Sequence, residues 1–325
     1  CVAPARIPNS AELLGSPMMA QLLSVARKSY DYVIVGAGSA GCTLANRLTE
    51  DRDVSVLVLE AGGWDRNPWI HIPLGWPRLF LHRMNDWMYF SEPEPELGSR
   101  PIECARGKVV GGSSSINAMV YIRGHKEDYA EWGAENPGWG WDECLAAYKA
   151  MEDTEAGGDA WRGKGGPLFI SENRKGLHWL VEEYIKACGQ AGLPYNRDFN
   201  GAEQEGAGTY QMTIKKSRRN SAARAFLRPA MKRKNLQVIS RAQVTRVLFD
   251  GMRAVGVEYL KDGQRRELRC NAEVILSGGA INSPQLLQLS GIGPAGLLQQ
   301  HGVGVLLDNP NVGDHLSDHQ GINYT

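Results

Sequence analysis

The segment that most constrains this chain is a strand, a glycine loop and a helix in immediate succession. Tyr30-Asp31-Tyr32-Val33-Ile34-Val35 is a short, β-branched run of the kind that forms a strand buried on both faces. Gly36-Ala37-Gly38-Ser39-Ala40-Gly41 follows without a spacer, and Cys42-Thr43-Leu44-Ala45-Asn46-Arg47-Leu48 sets apolar residues at helical spacing. After a turn at Asp51 to Asp53, Val54-Ser55-Val56-Leu57-Val58-Leu59 reads as a second buried strand, ending at Glu60-Ala61-Gly62-Gly63. Together these make a βαβ unit.

The loop has the form GxGxxG. Gly36 permits the tight turn, Gly38 lets a pyrophosphate approach the backbone, and Gly41 lets helix and strand pack closely. Ser39 and Ala40 then lie at a helix N-terminus whose N–H groups face the phosphates. A lone GxGxxG is often only a glycine-rich turn. Here Glu60 follows the last glycine by about 20 residues, the spacing of a carboxylate that meets a ribose diol. The combination predicts a dinucleotide site. The acid at this position disfavours a 2′-phosphate and so NADP, and it leaves NAD and FAD both open.

Composition narrows the class further. A chain of 325 residues suggests two domains, or one with an insertion. Its 36 basic and 36 acidic residues cancel, so no global charge points to nucleic acid or an anionic membrane as partner. Six cysteines without paired spacing predict buried or indifferent thiols in a reducing, cytoplasmic setting, with no zinc or other metal site. No stretch reaches the ~20 apolar residues of a membrane span. Residues 1–29, with Pro4, Pro8 and Pro17, read as an N-terminal extension and a poor signal peptide.

Residues 64–105 carry little regular pattern and read as a long loop passing over a cofactor. Helical spacing recurs at Lys126–Trp132, Trp141–Met151, His178–Ala191, Ala222–Leu227 and Pro229–Lys232. Strands are expected at Leu236–Ile239 and Val244–Phe249, and Gly256–Tyr259 is expected to pair with Arg266–Arg269 across Asp262-Gly263. Ala272-Glu273-Val274-Ile275-Leu276 reads as another buried strand before Gly278-Gly279.

Two further stretches carry glycine and serine runs: Gly107-Lys108-Val109-Val110-Gly111-Gly112-Ser113-Ser114-Ser115-Ile116-Asn117-Ala118-Met119-Val120-Tyr121-Ile122-Arg123-Gly124, and Gly279-Ala280-Ile281-Asn282-Ser283-Pro284-Gln285-Leu286-Leu287-Gln288-Leu289-Ser290-Gly291-Ile292-Gly293. In the first, nothing bulky keeps backbone N–H groups and hydroxyls from a polar ring edge or a phosphate. In the second, Ser283-Pro284 is expected to open a helix, because proline suits the first turn. With the glycine loop and Val58-Leu59-Glu60-Ala61-Gly62, the chain resembles the glucose–methanol–choline (GMC) oxidoreductases over about residues 30 to 325. Within that family it is most similar to choline-dehydrogenase-like members.

The resemblance implies an α/β fold: a Rossmann-type FAD-binding domain with a β-meander (30–166 and 220–320) and part of an α+β substrate-binding domain (167–219 and 321–325). It implies FAD as cofactor, held by Gly36, Gly38, Ser39, Ala40, Gly41, Glu60, Ala61, Val109, Ser113 and Asn117 through Val120 (with Ala118 and Met119 between), and by Val244 at the adenine. Some members attach FAD through a histidine at the position of Ile116, and isoleucine has no nucleophilic atom, so binding here is expected to be noncovalent. The implied activity is oxidation of a small-molecule alcohol, with O2, a quinone or another acceptor taking the electrons. Photodecarboxylases and hydroxynitrile lyases share these motifs and stand as alternatives, as does a catalytically silent FAD-binding fragment.

Family members that oxidise alcohols use a histidine with a second histidine or an asparagine, which the resemblance places beyond Thr325; the isolated chain is expected to oxidise no alcohol. His315 and His319, in a run resembling the family's VGxxLxDH, are expected to be structural or variable. His71, His82, His125, His178 and His301 belong to no constellation. Trp132, Trp139 and Trp141 are expected to pack in a core under a loop rather than to cage a cation.

Overall fold

The computed structural model describes residues 29–172 and 176–318. The expected extension apart from Ser29, the expected role of His319 and the expected domain segment 321–325 lie outside them.

The first βαβ unit forms where the sequence puts it. β1 (Ser29–Val35) leads through the glycine loop into α1 (Ser39–Leu48), and β2 (Val56–Glu60) follows. β2 starts two residues after the expected Val54; just before it, the Ser55 N–H and hydroxyl donate to the Asp31 carboxylate while the Ser55 carbonyl accepts from the Asp31 and Tyr32 N–H groups. β3 (Leu236–Ser240), β4 (Gln243–Asp250), β5 (Arg253–Lys261) and β6 (Gln264–Leu276) complete one sheet in the order β3-β2-β1-β6-β5-β4. β3, β2, β1 and β6 run parallel, while β6, β5 and β4 form an antiparallel meander. The α/β class and the Rossmann-type sheet with its meander are therefore as expected.

β6 does both jobs. Its first half pairs with β5 in the expected register, Gly256 opposite Arg269 and Tyr259 opposite Arg266, across a turn where Asp262 and Gly263 both take positive φ (51° and 74°). Two left-handed residues give the twist that a two-residue hairpin needs. Its second half lies beside β1, with Val35 opposite Leu276. Two expected strands, 266–269 and 272–276, are thus one.

Alternate residues of β1 feed opposite cores, as a period of two requires. Val33 and Val35 join Leu57, Leu59, Val257, Tyr259 and Leu286 on one face. Ile34 joins Cys42, Ala45, Val56, Val58, Phe226 and Leu227 on the other. Beside α1, this face is covered by a π-helix, Ala223–Leu227, continued by Arg228–Ala230 and tied to α1 by the Asn46 amide donating to the Phe226 carbonyl (2.9 Å).

Two expectations fail. α2 (Gly279–Leu289) begins well before Ser283, so Pro284 lies inside the helix rather than in its first turn. The Ser283 hydroxyl accepts from Gly278 N–H (3.1 Å), which anchors the preceding turn, and proline removes only its own donor to the helix. Residues 64–105 are also less irregular than expected: Asn67 caps a turn at Pro68–His71, prolines open Pro73–Gly75 and Trp76–Leu81, and Tyr89–Phe90 pairs with Glu103–Cys104. Among the described residues no helix is long and apolar enough to cross a membrane.

Outside the large sheet a buried polar layer joins residues from either side of the boundary expected at 166/167. Glu152 (0% exposed) accepts from Tyr121, from Arg123 Nε (3.0 Å) and Nη2, from Arg162 Nε (3.1 Å) and from Gly163 N–H (3.0 Å). Arg162 Nη1 continues to Asp198 (2.8 Å) and Gln211 (2.6 Å), and Asn200 accepts the Arg123 N–H (2.7 Å).

Candidate functional site

In an open parallel sheet the crevice lies at the carboxyl ends of the strands where the strand order reverses. Here that point is between β1 and β6. Gly36 takes φ +101°, and a Cβ on it would lie 2.5 Å from the Ser277 carbonyl oxygen, so the loops leaving the two strands press together only because position 36 is glycine. Above them opens a cavity of ≈880 Å3. Its floor is Gly36, Gly38, Ser39 and Ala40; Glu60 and Ala61 form one wall, and Gly112, Ser113 and residues 277–283 form the other.

The three glycines of the loop have separable jobs. A Cβ on Gly41 would overlap the Gly36 carbonyl oxygen, so this glycine is what lets α1 start against the end of β1. A Cβ on Gly38 would meet nothing of the protein nearer than the Ser277 carbonyl oxygen at 3.9 Å, and it would project into the cavity. α1 has no side-chain cap and no acidic residue in its first turn. Its first N–H groups are therefore available to an anion, with the helix dipole favouring negative charge.

Glu60 is buried, and its carboxylate accepts from Ala37 N–H (2.8 Å) and Gly62 N–H (2.7 Å), which locks the glycine loop to the end of β2. Burial pushes its carboxyl above the ordinary range, against the two amide donors and the nearby Lys108 ammonium. Each carboxylate oxygen keeps a second lone pair for a hydroxyl on the cavity side.

The serine-rich run is bolted onto this base. Gly111 N–H donates to the Ala37 carbonyl (2.7 Å) and Val110 N–H to Gly63 (2.9 Å). A Cβ on Gly112, itself at φ +54°, would come within 2.7 Å of the Gly38 Cα. Two glycine loops thus meet edge to edge and set Ser113 in the cavity wall, its hydroxyl accepting from Gly107 N–H (3.1 Å).

Of the residues expected to hold a cofactor, Gly36, Gly38, Ser39, Ala40, Glu60, Ala61, Ser113 and Val244 come together around one cavity. Gly41 lies behind it. Val109 is fully buried with Ile70 and Leu79, and Ile116 packs against that cluster. Asn117, Ala118, Met119 and Val120 continue past Ser113 outside the cavity wall; Met119 is buried at φ +64°, whereas Asn117 and Val120 are exposed.

Other lining residues carry no signal in the sequence. Trp87 and Arg106 close one end of the cavity, and the Lys108 ammonium sits 4.2 Å from the Trp87 ring centroid. At the other end Glu258 faces Arg265 (3.2 Å) and Arg246 (3.7 Å). The Thr245 hydroxyl donates to Glu258 (2.6 Å) and, outweighing partial burial together with the two arginines, holds its carboxyl below the usual range. Trp87 sits in a stretch without periodicity, and the charged trio is assembled across β4, β5 and β6; a linear pattern signals neither. Ser277 and Gly278, with residues 279–283 of the second stretch that carries the family resemblance, also line the cavity.

Among the described residues no histidine lines this cavity. His125 and His178 cap the N-termini of helices Lys126–Glu135 and Trp179–Gln190, His71 bonds the Asp65 carbonyl (2.7 Å), and His301 ends the helix Ala295–Gln300. The tryptophans depart from expectation. Trp132 and Trp139 are 55% and 56% exposed and meet edge to face at 6.1 Å. With Tyr129, Trp141 and Trp161 they form a surface cluster, because neither helix that carries them (Lys126–Glu135 and Trp141–Met151) buries a residue in the core.

Comparison with known proteins agrees with this geometry. The sequence profile of the GMC oxidoreductases matches residues 30–321. Mitochondrial choline dehydrogenase of Mus musculus is 46% identical over 311 residues, 93% of this chain and 52% of that protein. The alcohol dehydrogenase (acceptor) of Pseudomonas putida is 46% identical over 297 residues, 90% of this chain and 54% of that one. Pyridoxine 4-oxidase from Mesorbium loti superposes with a TM-score of 0.83 at 39% identity, covering 87% of this chain and 56% of that chain. An FAD-dependent oxidoreductase from Chaetomium thermophilum gives 0.81 at 33% identity, covering 87% and 51%. The chain spans about half the length of the curated relatives it matches.

Proposed function

The chain belongs to the GMC oxidoreductase family, and from that premise we propose that it binds FAD noncovalently in the cavity above Gly36–Gly41 and serves an enzyme that oxidises the CH–OH group of an alcohol. The observation that carries this is the cradle itself: an uncapped helix N-terminus, an open face at Gly38 and the Glu60 carboxylate around one ≈880 Å3 cavity. In this reading the amides at the start of α1 hold the pyrophosphate, Glu60 takes the ribose hydroxyls, Val244 meets the adenine, and Ser113 with Asn117 through Val120 flanks the flavin ring. Bound FAD supplies an acceptor for hydride from the carbinol carbon at N5. Ile116, half-buried against Val109 and Ile70, offers no covalent anchor. The names of the relatives range over choline, alcohol and pyridoxine, which supports the alcohol class rather than one member of it.

The test is a titration of the purified chain with FAD and, separately, NAD. We expect flavin fluorescence to be quenched on binding and NAD to bind far more weakly. Binding of NAD alone would refute the proposal.

Glu60 gives this reading a pH signature. A carboxyl raised in the folded state takes up its proton while the unfolded chain is still ionised. Through it, the ligand-free chain gains stability as pH falls from the raised value toward ~4.3, the ordinary glutamate pKa. FAD affinity should move the other way over the same window, because a protonated Glu60 loses acceptor capacity for the ribose. Glu60→Gln should flatten this acid loss and lower FAD affinity at neutral pH by at least tenfold, because it removes the charge and turns an NH2 against the Ala37 or the Gly62 N–H. Affinity measured from pH 4 to 8 by fluorescence checks both; an unchanged acid loss in the variant would assign it to another group.

A further inference from the structure

Arg219 is the buried cation that the cofactor cradle does not explain. It is 0% exposed, and no carboxylate of the described residues pairs with it, unlike Arg123 and Arg162, which share Glu152. Its guanidinium instead collects carbonyl groups: Nε donates to Ile70 O (2.7 Å), and Nη1 to Asn117 O (2.7 Å), Asn117 Oδ1 (2.8 Å) and Ser114 O (3.2 Å). Ala222 N–H adds a bond to the Ser114 hydroxyl (3.0 Å). Residues 219–222 thus grip the serine-rich run from behind while its other side meets the glycine loop.

This grip settles which way the Asn117 amide faces. Asn117 Oδ1 accepts from Arg219 Nη1 and from Met119 N–H (3.0 Å). Both partners are donors only, so the atom between them must be the oxygen, and a flipped amide would set donor against donor. Asn117 is exposed, and no acceptor among the described residues takes its Nδ2. The side chain therefore presents N–H outward. The bond from Met119 N–H also helps hold that residue at φ +64°, where an L side chain is strained.

We propose that Arg219 is a positioning residue that fixes Asn117 as a hydrogen-bond donor toward an acceptor, a carbonyl oxygen or an unprotonated ring nitrogen, on the polar edge of the bound flavin. The inference rests on the FAD reading above and adds to it the polarity of one contact and the residue that sets it. Burial without a counter-charge draws the Arg219 guanidinium down to about 10, so it remains a cation at neutral pH. A carboxylate at position 117 would therefore satisfy it while reversing what the ligand meets.

Asn117→Asp makes that reversal. FAD affinity is measured by fluorescence quenching, the bound flavin by visible absorption and circular dichroism, and the ligand-free chain by thermal unfolding. We expect the Asn117→Asp midpoint to equal or exceed that of the wild type, with FAD affinity at least tenfold weaker and the visible flavin spectrum shifted. Arg219→Met should shift the spectrum as Asn117→Ala does, and the double variant Arg219→Met/Asn117→Ala should bind FAD no more weakly than Asn117→Ala alone, because the two act as a unit. Should Arg219→Met fail to fold, Asn117→Asp decides alone. Wild-type affinity and spectrum in Asn117→Asp, or additive losses in the double variant, would overturn this proposal and leave FAD binding standing. A wild-type chain that binds no FAD would overturn the function and this inference together.

Discussion

Replacing Glu152 with alanine is expected to destabilise the chain by about 3–5 kcal/mol, the cost of breaking a buried ion pair and leaving the other charges behind. Glu152 is fully buried and serves two arginines, 2% and 3% exposed at their side chains, as well as Tyr121 and an amide. Without it both guanidinium groups face low-dielectric surroundings, and only Arg162 keeps a carboxylate, Asp198. Glutamine is no rescue, since its NH2 would point at a guanidinium. Thermal unfolding checks the effect, with a drop on the order of 10 °C for a chain of this size. Asp153→Asn is the control: its Lys164 partner is 53% exposed, and such a pair is worth at most ~1 kcal/mol. The acid side carries a second signature. Burial pushes the Glu152 carboxyl up, but Tyr121, the Gly163 amide and the two arginines outweigh it and hold the carboxyl below its ordinary range. That stability is present above ~4.3 and disappears as pH falls through the lowered value. Glu152→Ala should remove this part of the acid transition.

The second large effect is expected at Gly41. A valine there sets its Cβ onto the Gly36 carbonyl oxygen and against the Ile34 side chain. Ile34 lies in β1, inside the parallel part of the sheet, and Gly36 directly follows it; the carbonyl is backbone and the Ile34 side chain is buried, so neither can swing away. Because α1 covers Ile34, Val56 and Val58, the helix must lift from the sheet or β1 must shift. We expect a loss on the order of 4 kcal/mol or more, read as an unfolding midpoint far below that of the wild type or as insoluble expression. FAD binding should fail with it, for want of a folded loop.

The parts of this molecule that were legible share a property: their determinants are adjacent in sequence. β1, the glycine loop, α1 and β2 run without interruption, and the meander register follows from the turn Asp262-Gly263 and the alternation on either side. Where determinants are scattered, the pattern is silent. Glu152 follows the helix Trp141–Met151 and reads as one more surface acid, because its partners at 121, 123 and 162 come from other elements. Arg219 ends the basic run Lys215-Lys216-Ser217-Arg218-Arg219, which reads as a solvated face. Arg218 is indeed exposed, but strand alternation turns Arg219 inward, where carbonyls rather than acids receive it. His125 and His178 belong to no constellation in the sequence, and their work, which a linear pattern does not signal, is to cap helices. Pro284 by preference marks a first turn, whereas the helix already starts at Gly279 with Gly278 as its N-cap.

The glycine loop lends itself to the most direct test, because a Cβ on its second glycine would crowd no protein atom and one on its third would overlap the Gly36 carbonyl. Gly38 has φ −75°, which any residue adopts, and an added methyl group would occupy ligand space alone. The measurement is FAD affinity of the wild type and of Gly38→Ala, alongside their unfolding midpoints without ligand. The account predicts that the wild type binds FAD, that Gly38→Ala unfolds within ~0.5 kcal/mol of it, and that the variant's affinity is weaker by at least a hundredfold. Equal affinity in the two proteins would place the cofactor elsewhere and contradict the site described above.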